Sequence, residues 1–179
     1  MKKVVKFGGS SLASAEQFAK VRDIILADAE RRFVVPSAPG KRFPEDTKVT
    51  DMLYECYHMA ESGQDFHRLL SEIAARYQEI IEGLSLSLSL KEEFETIEKN
   101  FNEKAGENYA ASRGEYLNSI IMAAYLDFQF VDAAEVIRFT EAGDFDAELT
   151  TRILRERLET ADHAVIPGFY GAYGDGRIK

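Results

Sequence analysis

The sequence predicts a three-layer α/β/α sandwich built on a mainly parallel sheet. Near the amino terminus, a strand pattern, a glycine turn, an amphipathic helix and a second strand pattern follow one another as a βαβ unit. Strands joined by such a crossover run parallel, and a parallel sheet needs helices to cover it. The middle of the chain reads as helical, and the end returns to short buried-strand patterns.

Val4, Val5 and Phe7 form the first strand, stopped by Gly8-Gly9-Ser10-Ser11. Ser14, three residues before Gln17, is a capping-box pattern that opens a helix. Phe18, Val21, Ile24, Ile25 and Ala29 then recur at helical spacing. Phe33-Val34-Val35 is the second strand, ended by Pro36-Ser37-Ala38-Pro39-Gly40. Two amphipathic helices follow, one carrying Val49, Met52, Leu53, Cys56 and Met59, the other Phe66 through Ile81, with Gly63 between them. The tract Leu84–Leu90 alternates Leu with Ser; it is read as a helix end and connector, with Ser89 and Glu92 capping the next helix. From Glu107 to Phe128 the pattern is helical again, with Gly114 expected to break it. Phe130-Val131, Val136-Ile137-Arg138-Phe139 and Ala164-Val165-Ile166 read as strands, and Leu149, Ile153, Leu154 and Leu158 as a helix face. Asp175–Lys179 reads as a turn leading into another strand.

Composition narrows the function. The 179 residues hold 22 Lys+Arg against 31 Asp+Glu, a net charge of −9. That argues against a nucleic-acid partner, which needs a basic face for the phosphates. The single cysteine, Cys56, excludes an internal disulfide framework and a cysteine-based zinc site. No apolar stretch approaches the ~18 residues of a membrane span, and no signal-peptide core is present. The expectation is a cytoplasmic protein with no membrane partner.

Three segments could carry chemistry. In Lys6-Phe7-Gly8-Gly9-Ser10-Ser11 a lysine ends a strand and two glycines lead into a helix. Glycines admit an anion to the backbone N–H groups, and the lysine adds a full charge. The lysine precedes the glycines, so this is not a Walker A loop. A phosphate cradle and a plain glycine turn both account for it. Ser37, like Lys6 and Gly168, lies at the carboxyl end of a strand, where open α/β sheets bind ligands. Taken locally, Ser37 is a polar loop residue and Thr50 a helix N-cap. Glu115 could receive an ammonium group or be a first-turn acid favoured by the helix dipole. His58, His67 and His163 share no metal-like spacing, and no metal site is expected.

These pieces, in this order, resemble the aspartate kinases of the amino-acid kinase superfamily. Lys6–Ser11 is similar to that family's amino-terminal signature, whose fifth residue is usually threonine. Val34–Ala38, Val49–Leu53, Ser112-Arg113-Gly114-Glu115 with Leu117–Ser119, Val131-Asp132-Ala133 and Ile166–Gly171 resemble five further blocks. Pro36 and Pro39 depart from the family's pattern. The resemblance implies transfer of the ATP γ-phosphoryl group to the β-carboxylate of L-aspartate, with Mg²⁺, in lysine, threonine and methionine biosynthesis. It implies that Lys6, Gly8, Gly9 and Ser10 meet phosphate, with Lys6 catalytic. Ser37, Thr50, Glu115 and Phe169 would then bind aspartate, Glu115 through its ammonium group. The family continues with a Gly-Arg-Gly-Gly-Ser-Asp motif that is not present by Lys179. The resemblance therefore implies that residues 1–179 are the amino-terminal, amino-acid-binding part of a catalytic domain, with a helical insert at about 52–112. The nucleotide-binding half and the ACT regulatory domains would lie outside these residues. Such a piece is expected to be inactive alone and to self-associate as a homo-oligomer. The rivals are a kinase of the same superfamily acting on glutamate, acetylglutamate, carbamate or a nucleotide, and a non-catalytic binding or assembly module.

Overall fold

The computed structural model describes residues 2–179. Its elements are β1 (Lys3–Phe7), α1 (Ala15–Leu26), β2 (Arg31–Pro36), α2 (Val49–Glu61), α3 (His67–Gly83), α4 (Lys91–Asn102), α5 (Glu107–Leu126), β3 (Gln129–Phe130), α6 (Ala133–Val136), α7 (Ala147–Glu159) and β4 (Ala164–Val165). The sheet runs β1-β2-β4-β3, and every pairing is parallel.

Side chains alternate across a strand, so the central strands β2 and β4 serve two cores. Val34 and Val165 point into a large core shared with α1 and α2–α5. Phe33, Ala164 and Ile166 point the other way, into a smaller core completed by Val131, Val136 and Tyr170 under the half-buried Ile153, Leu154 and Leu158 of α7. The three layers follow from this division. Ser14 accepts from the backbone N–H of Gln17 at 3.4 Å, so the expected cap starts α1. Cys56 is fully buried, and burial pushes its thiol up to about 12.

Several local expectations fail for identifiable reasons. Gly114 does not break a helix; α5 runs unbroken through it. A Cβ there would lie 2.7 Å from Ala38 Cβ, so the glycine serves close packing instead. Val136–Phe139 is not a strand. Asp132 accepts from the N–H of Ala134 at 2.9 Å and starts the single turn of α6, which consumes Val136. Arg138 and Phe139 form only isolated bridges, to Ala172 and Phe145. The Leu/Ser tract is the expected connector, but Ser89 does not cap α4. Leu90 occupies the cap position, and the Ser89 hydroxyl accepts from Lys91 N at 3.3 Å. Thr50 is not the cap of α2; that position belongs to Lys48, and Thr50 lies inside the first turn.

Candidate functional site

The loops after β1 and β2 meet backbone to backbone. Gly40 donates its N–H to the Gly9 carbonyl at 2.9 Å, and Ser37 donates to the Phe7 carbonyl at 3.0 Å. A Cβ on Gly9 would stand 2.8 Å from the Ala38 carbonyl oxygen, and one on Gly40 would stand 2.7 Å from Gly9 C. Only glycines allow that contact. Gly8 differs: a Cβ there would meet nothing within 4 Å. Its φ of −79° suits any residue, so neither packing nor conformation demands a glycine. What Gly8 leaves is open space beside the exposed Lys6 and the 3-10 turn Gly9–Leu12. Open backbone beside a free ammonium fits an anionic group.

A cleft of about 490 Å³ opens between these loops, α2 and α5. Gly9, Ser10, Ser37, Thr50 and Glu115 line it. Lys6 and Gly8 sit at the strand end beside it, and Lys6 is close enough to stabilise the charged form of Glu115. Phe169 is not brought into the cleft; it is 69% exposed, with φ of +78°. Gly168 takes the matching place at the edge of the β2 loop, where its N–H donates to the Pro36 carbonyl at 3.3 Å. Lys41 and Lys48 also line the cleft. Sequence reading passed over both, because lysines in a hydrophilic loop carry no periodic signal. A second cleft, about 510 Å³, lies between α3 and α4 and is lined largely by apolar side chains such as Leu70, Ile81 and Phe94; it gathers none of the site residues.

Glu115 is the unusual group. It lies in the middle of α5 and is only 7% exposed, so the first-turn helix-dipole reading is excluded. Its Oε1 accepts from the Ala38 N–H at 3.1 Å, while Oε2 is buried without a partner. Burial raises its pKa, and the Ala38 N–H and the Lys6 charge oppose that shift only partly. One turn on, Asn118 donates to the Ser37 carbonyl at 2.7 Å and leaves its own Oδ1 unpartnered. A buried acceptor without a donor costs ~1–3 kcal/mol. Two of them on one helix face, one beside the cleft, suit a ligand that brings hydrogen-bond donors. Among the described residues no group of three or more His, Cys, Asp or Glu side chains could hold a metal ion. None of their helices is long and apolar enough to cross a membrane.

The fold and site together define an α/β/α protein with a cleft at the carboxyl ends of parallel strands, where a lysine and a glycine turn stand beside a buried carboxylate. Comparison with known proteins makes this specific: the amino acid kinase family model matches residues 1–178, and the chain belongs to that family. Aspartokinase 3 of Bacillus subtilis is 38% identical over 98% of this chain. The aspartokinase of Chlamydia trachomatis is 27% identical over 97% of it. The crystal structure of Clostridium acetobutylicum aspartate kinase superposes on the whole chain with a TM-score of 0.96 at 46% identity. Escherichia coli aspartokinase III, solved with aspartate and ADP, matches the fold with a TM-score of 0.81 at 24% identity. The chain spans only 42% of the Bacillus relative and 42% of the Clostridium one.

Proposed function

We propose that this chain forms the amino-acid-binding part of an aspartate kinase, which transfers the ATP γ-phosphoryl group to the β-carboxylate of L-aspartate. The observation that carries the reading is the partnerless, buried Oε2 of Glu115 at the aspartokinase-like cleft. An amino-acid ammonium group supplies both the missing hydrogen bond and the missing charge. The acceptor specificity is supported by the names of the relatives, which are aspartokinases along nearly the whole of this chain.

The chemical difficulty is that a carboxylate must approach a polyanion, and unscreened charges repel strongly at contact distance. Lys6 and the open backbone at Gly8 and Gly9 would offset the charge on the transferring phosphoryl group. Mg²⁺ bound with the nucleotide would supply further charge neutralisation, and no cluster in this chain is assigned to hold it. Ser37 and Thr50 would orient aspartate through hydrogen bonds from their hydroxyls. Glu115 would fix its ammonium end, which leaves the β-carboxylate to turn toward the strand ends. No covalent enzyme intermediate is needed; positioning and charge stabilisation suffice. The remainder of the nucleotide site, the regulatory parts and the assembly of the protein into homo-oligomers belong to the same proposal.

The test uses the intact protein, with acyl phosphate trapped by hydroxylamine and with aspartate and glutamate compared as acceptors. Product is expected with aspartate and not with glutamate. Lys6→Ala should lower kcat on the order of 10²-fold with little change in the aspartate KM. Turnover near that of the parent protein would make the glycine turn merely structural. Preference for glutamate would move the chain to another branch of its family.

A further inference from the structure

We propose that Arg76 is a positioning residue that fixes the glycine turn at Gly9 from behind, through Gly40. Arg76 projects from α3, is only 6% exposed, and does not itself line the cleft. Its guanidinium instead spans the base of the loop between β2 and α2. Nη1 donates to the Thr47 carbonyl at 2.6 Å, and Nη2 donates to the Gly40 carbonyl at 2.9 Å. Nη2 also lies 3.4 Å from Asp46 Oδ2. Arg42 grips that same carboxylate through Nε and Nη2, at 2.8 and 3.1 Å, and ties itself to Glu79 of α3 at 3.0 Å. One planar fork thus holds two carbonyls seven residues apart, a task that a point-charge ammonium cannot perform in one geometry.

The connection to the site runs through a single residue. The Gly40 carbonyl is held by Arg76, and the Gly40 N–H holds the Gly9 carbonyl. Gly40 and Gly9 pack too closely for any side chain between them, so a shift of one displaces the other. The next residue of α3 braces the opposite wall: the Tyr77 hydroxyl donates to the Gly114 carbonyl at 2.8 Å, one residue before Glu115. Successive residues of one helix therefore back both the anion turn and the carboxylate that faces it. The consequence for catalysis rests on the kinase reading above; the mechanical link from Arg76 to Gly9 does not.

The experiment is Arg76→Lys in the intact protein, read by amide hydrogen exchange and by steady-state kinetics. The amides of Gly40 and Ser11 report the link, since both are bonded within these loops. Their exchange should quicken about tenfold or more while the amides of α5 stay as they were. The kcat for acyl phosphate should fall about tenfold, with the aspartate KM changed less than about threefold, because a displaced phosphate subsite costs alignment more than acceptor binding. Ile97→Val, in the core of α4, is the control for stability loss alone. If it lowers kcat as much at an equal fall in Tm, or if the Gly40 and Ser11 amides stay unchanged in Arg76→Lys, the proposal is wrong. Should Arg76→Lys fail to fold, Asp46→Asn is the milder variant; it should quicken the same two amides about threefold, and unchanged exchange there also overturns the proposal. Quickened exchange in a protein whose unmutated form makes no acyl phosphate would leave the positioning role standing and remove the kinase reading.

Discussion

Helix α5 buries thirteen of its twenty residues, among them Ser112, Arg113, Glu115, Asn118 and Ser119; helix α7 buries one of thirteen, Thr150. Both are regular helices, but α5 is wedged between the sheet and α2, α3 and α4, whereas α7 lies on the outer face over the smaller core. The difference is instructive about where polar residues go. A peripheral helix keeps its charges in water and needs only an apolar stripe. A central helix has no solvent side, so each polar group needs a partner or remains a cost. In α5, Arg113 finds three: its guanidinium carbon lies 4.7, 4.3 and 5.4 Å from the ring centroids of Tyr109, Tyr116 and Tyr170. Ser112 accepts from its Nε at 3.0 Å. Glu115 and Asn118 are only half satisfied, and the Ser119 hydroxyl has no partner. On the proposed function, the unmet capacity of Glu115 beside the cleft is what an amino-acid ligand would satisfy.

The contrast can be tested by substitution, beginning with the largest effect. Gly114→Val places a branched side chain where a Cβ already lies 2.7 Å from Ala38 Cβ and 3.4 Å from Leu53 Cδ1. Overpacking at this junction should cost ~2–3 kcal/mol, a fall of about 4–12 °C in Tm, and should abolish aspartate binding as the β2 loop is pushed out. An unchanged Tm would show that α5 and the loop are not rigidly opposed.

Glu115→Gln should separate function from stability. Aspartate binding, followed by calorimetry, should weaken by ~1.5–3 kcal/mol, the range for hydrogen bonds to charged groups, while the ATP KM holds. Stability should move the other way. Because burial raises the folded-state pKa, the charged carboxylate is a cost that is absent below the ordinary carboxylate pKa and grows as pH rises through the raised one. The variant lacks that cost, so its stability relative to the parent should increase between acid and neutral pH. Loss of stability at neutral pH with aspartate affinity intact would make Glu115 a structural residue.

For α7 the outcome should be purely structural. The Thr150 hydroxyl accepts from Arg138 N at 2.9 Å. Thr150→Val would strand that half-buried donor at a cost of ~1–2 kcal/mol, visible in urea unfolding, without altering aspartate affinity. The smallest effect expected is for Asp146→Ala. It removes the cap that accepts from Leu149 N at 2.9 Å and should cost ~1 kcal/mol. A change in aspartate binding in either variant would mean that the outer layer is coupled to the cleft.

The elements that were legible in the sequence are those whose signals are local. The Ser14 cap, the strand β2, the helices α2 and α3 around Gly63, and the parallel direction of the strands, though not their order, follow from spacing and turn chemistry. Of the expected site residues, the cleft gathers Gly9, Ser10, Ser37, Thr50 and Glu115, from two strand-end loops and two helices, and leaves Phe169 outside. Gly114 was misread because a glycine in a helical pattern signals a break locally, while its actual neighbour, Ala38, is far away in the chain. Val136–Phe139 reads as a strand because β-branched and aromatic residues favour one, but a capping aspartate draws Val136 into a turn of helix and leaves Arg138 and Phe139 only isolated bridges.

Periodicity, capping residues and glycine placement dictate the layers of this protein and the strand ends at which a ligand would sit. They act over a few residues, so they hold wherever tertiary contacts do not override them, as those contacts do at Gly114 and Val136. Tertiary structure alone decides that Glu115 is buried and half-partnered, that Arg76 reaches Gly40 and Thr47, and that Phe169 stays outside the cleft. Each of these depends on the distance between segments remote in sequence and on how much water remains between them. Neither quantity exists until the helices close over the sheet.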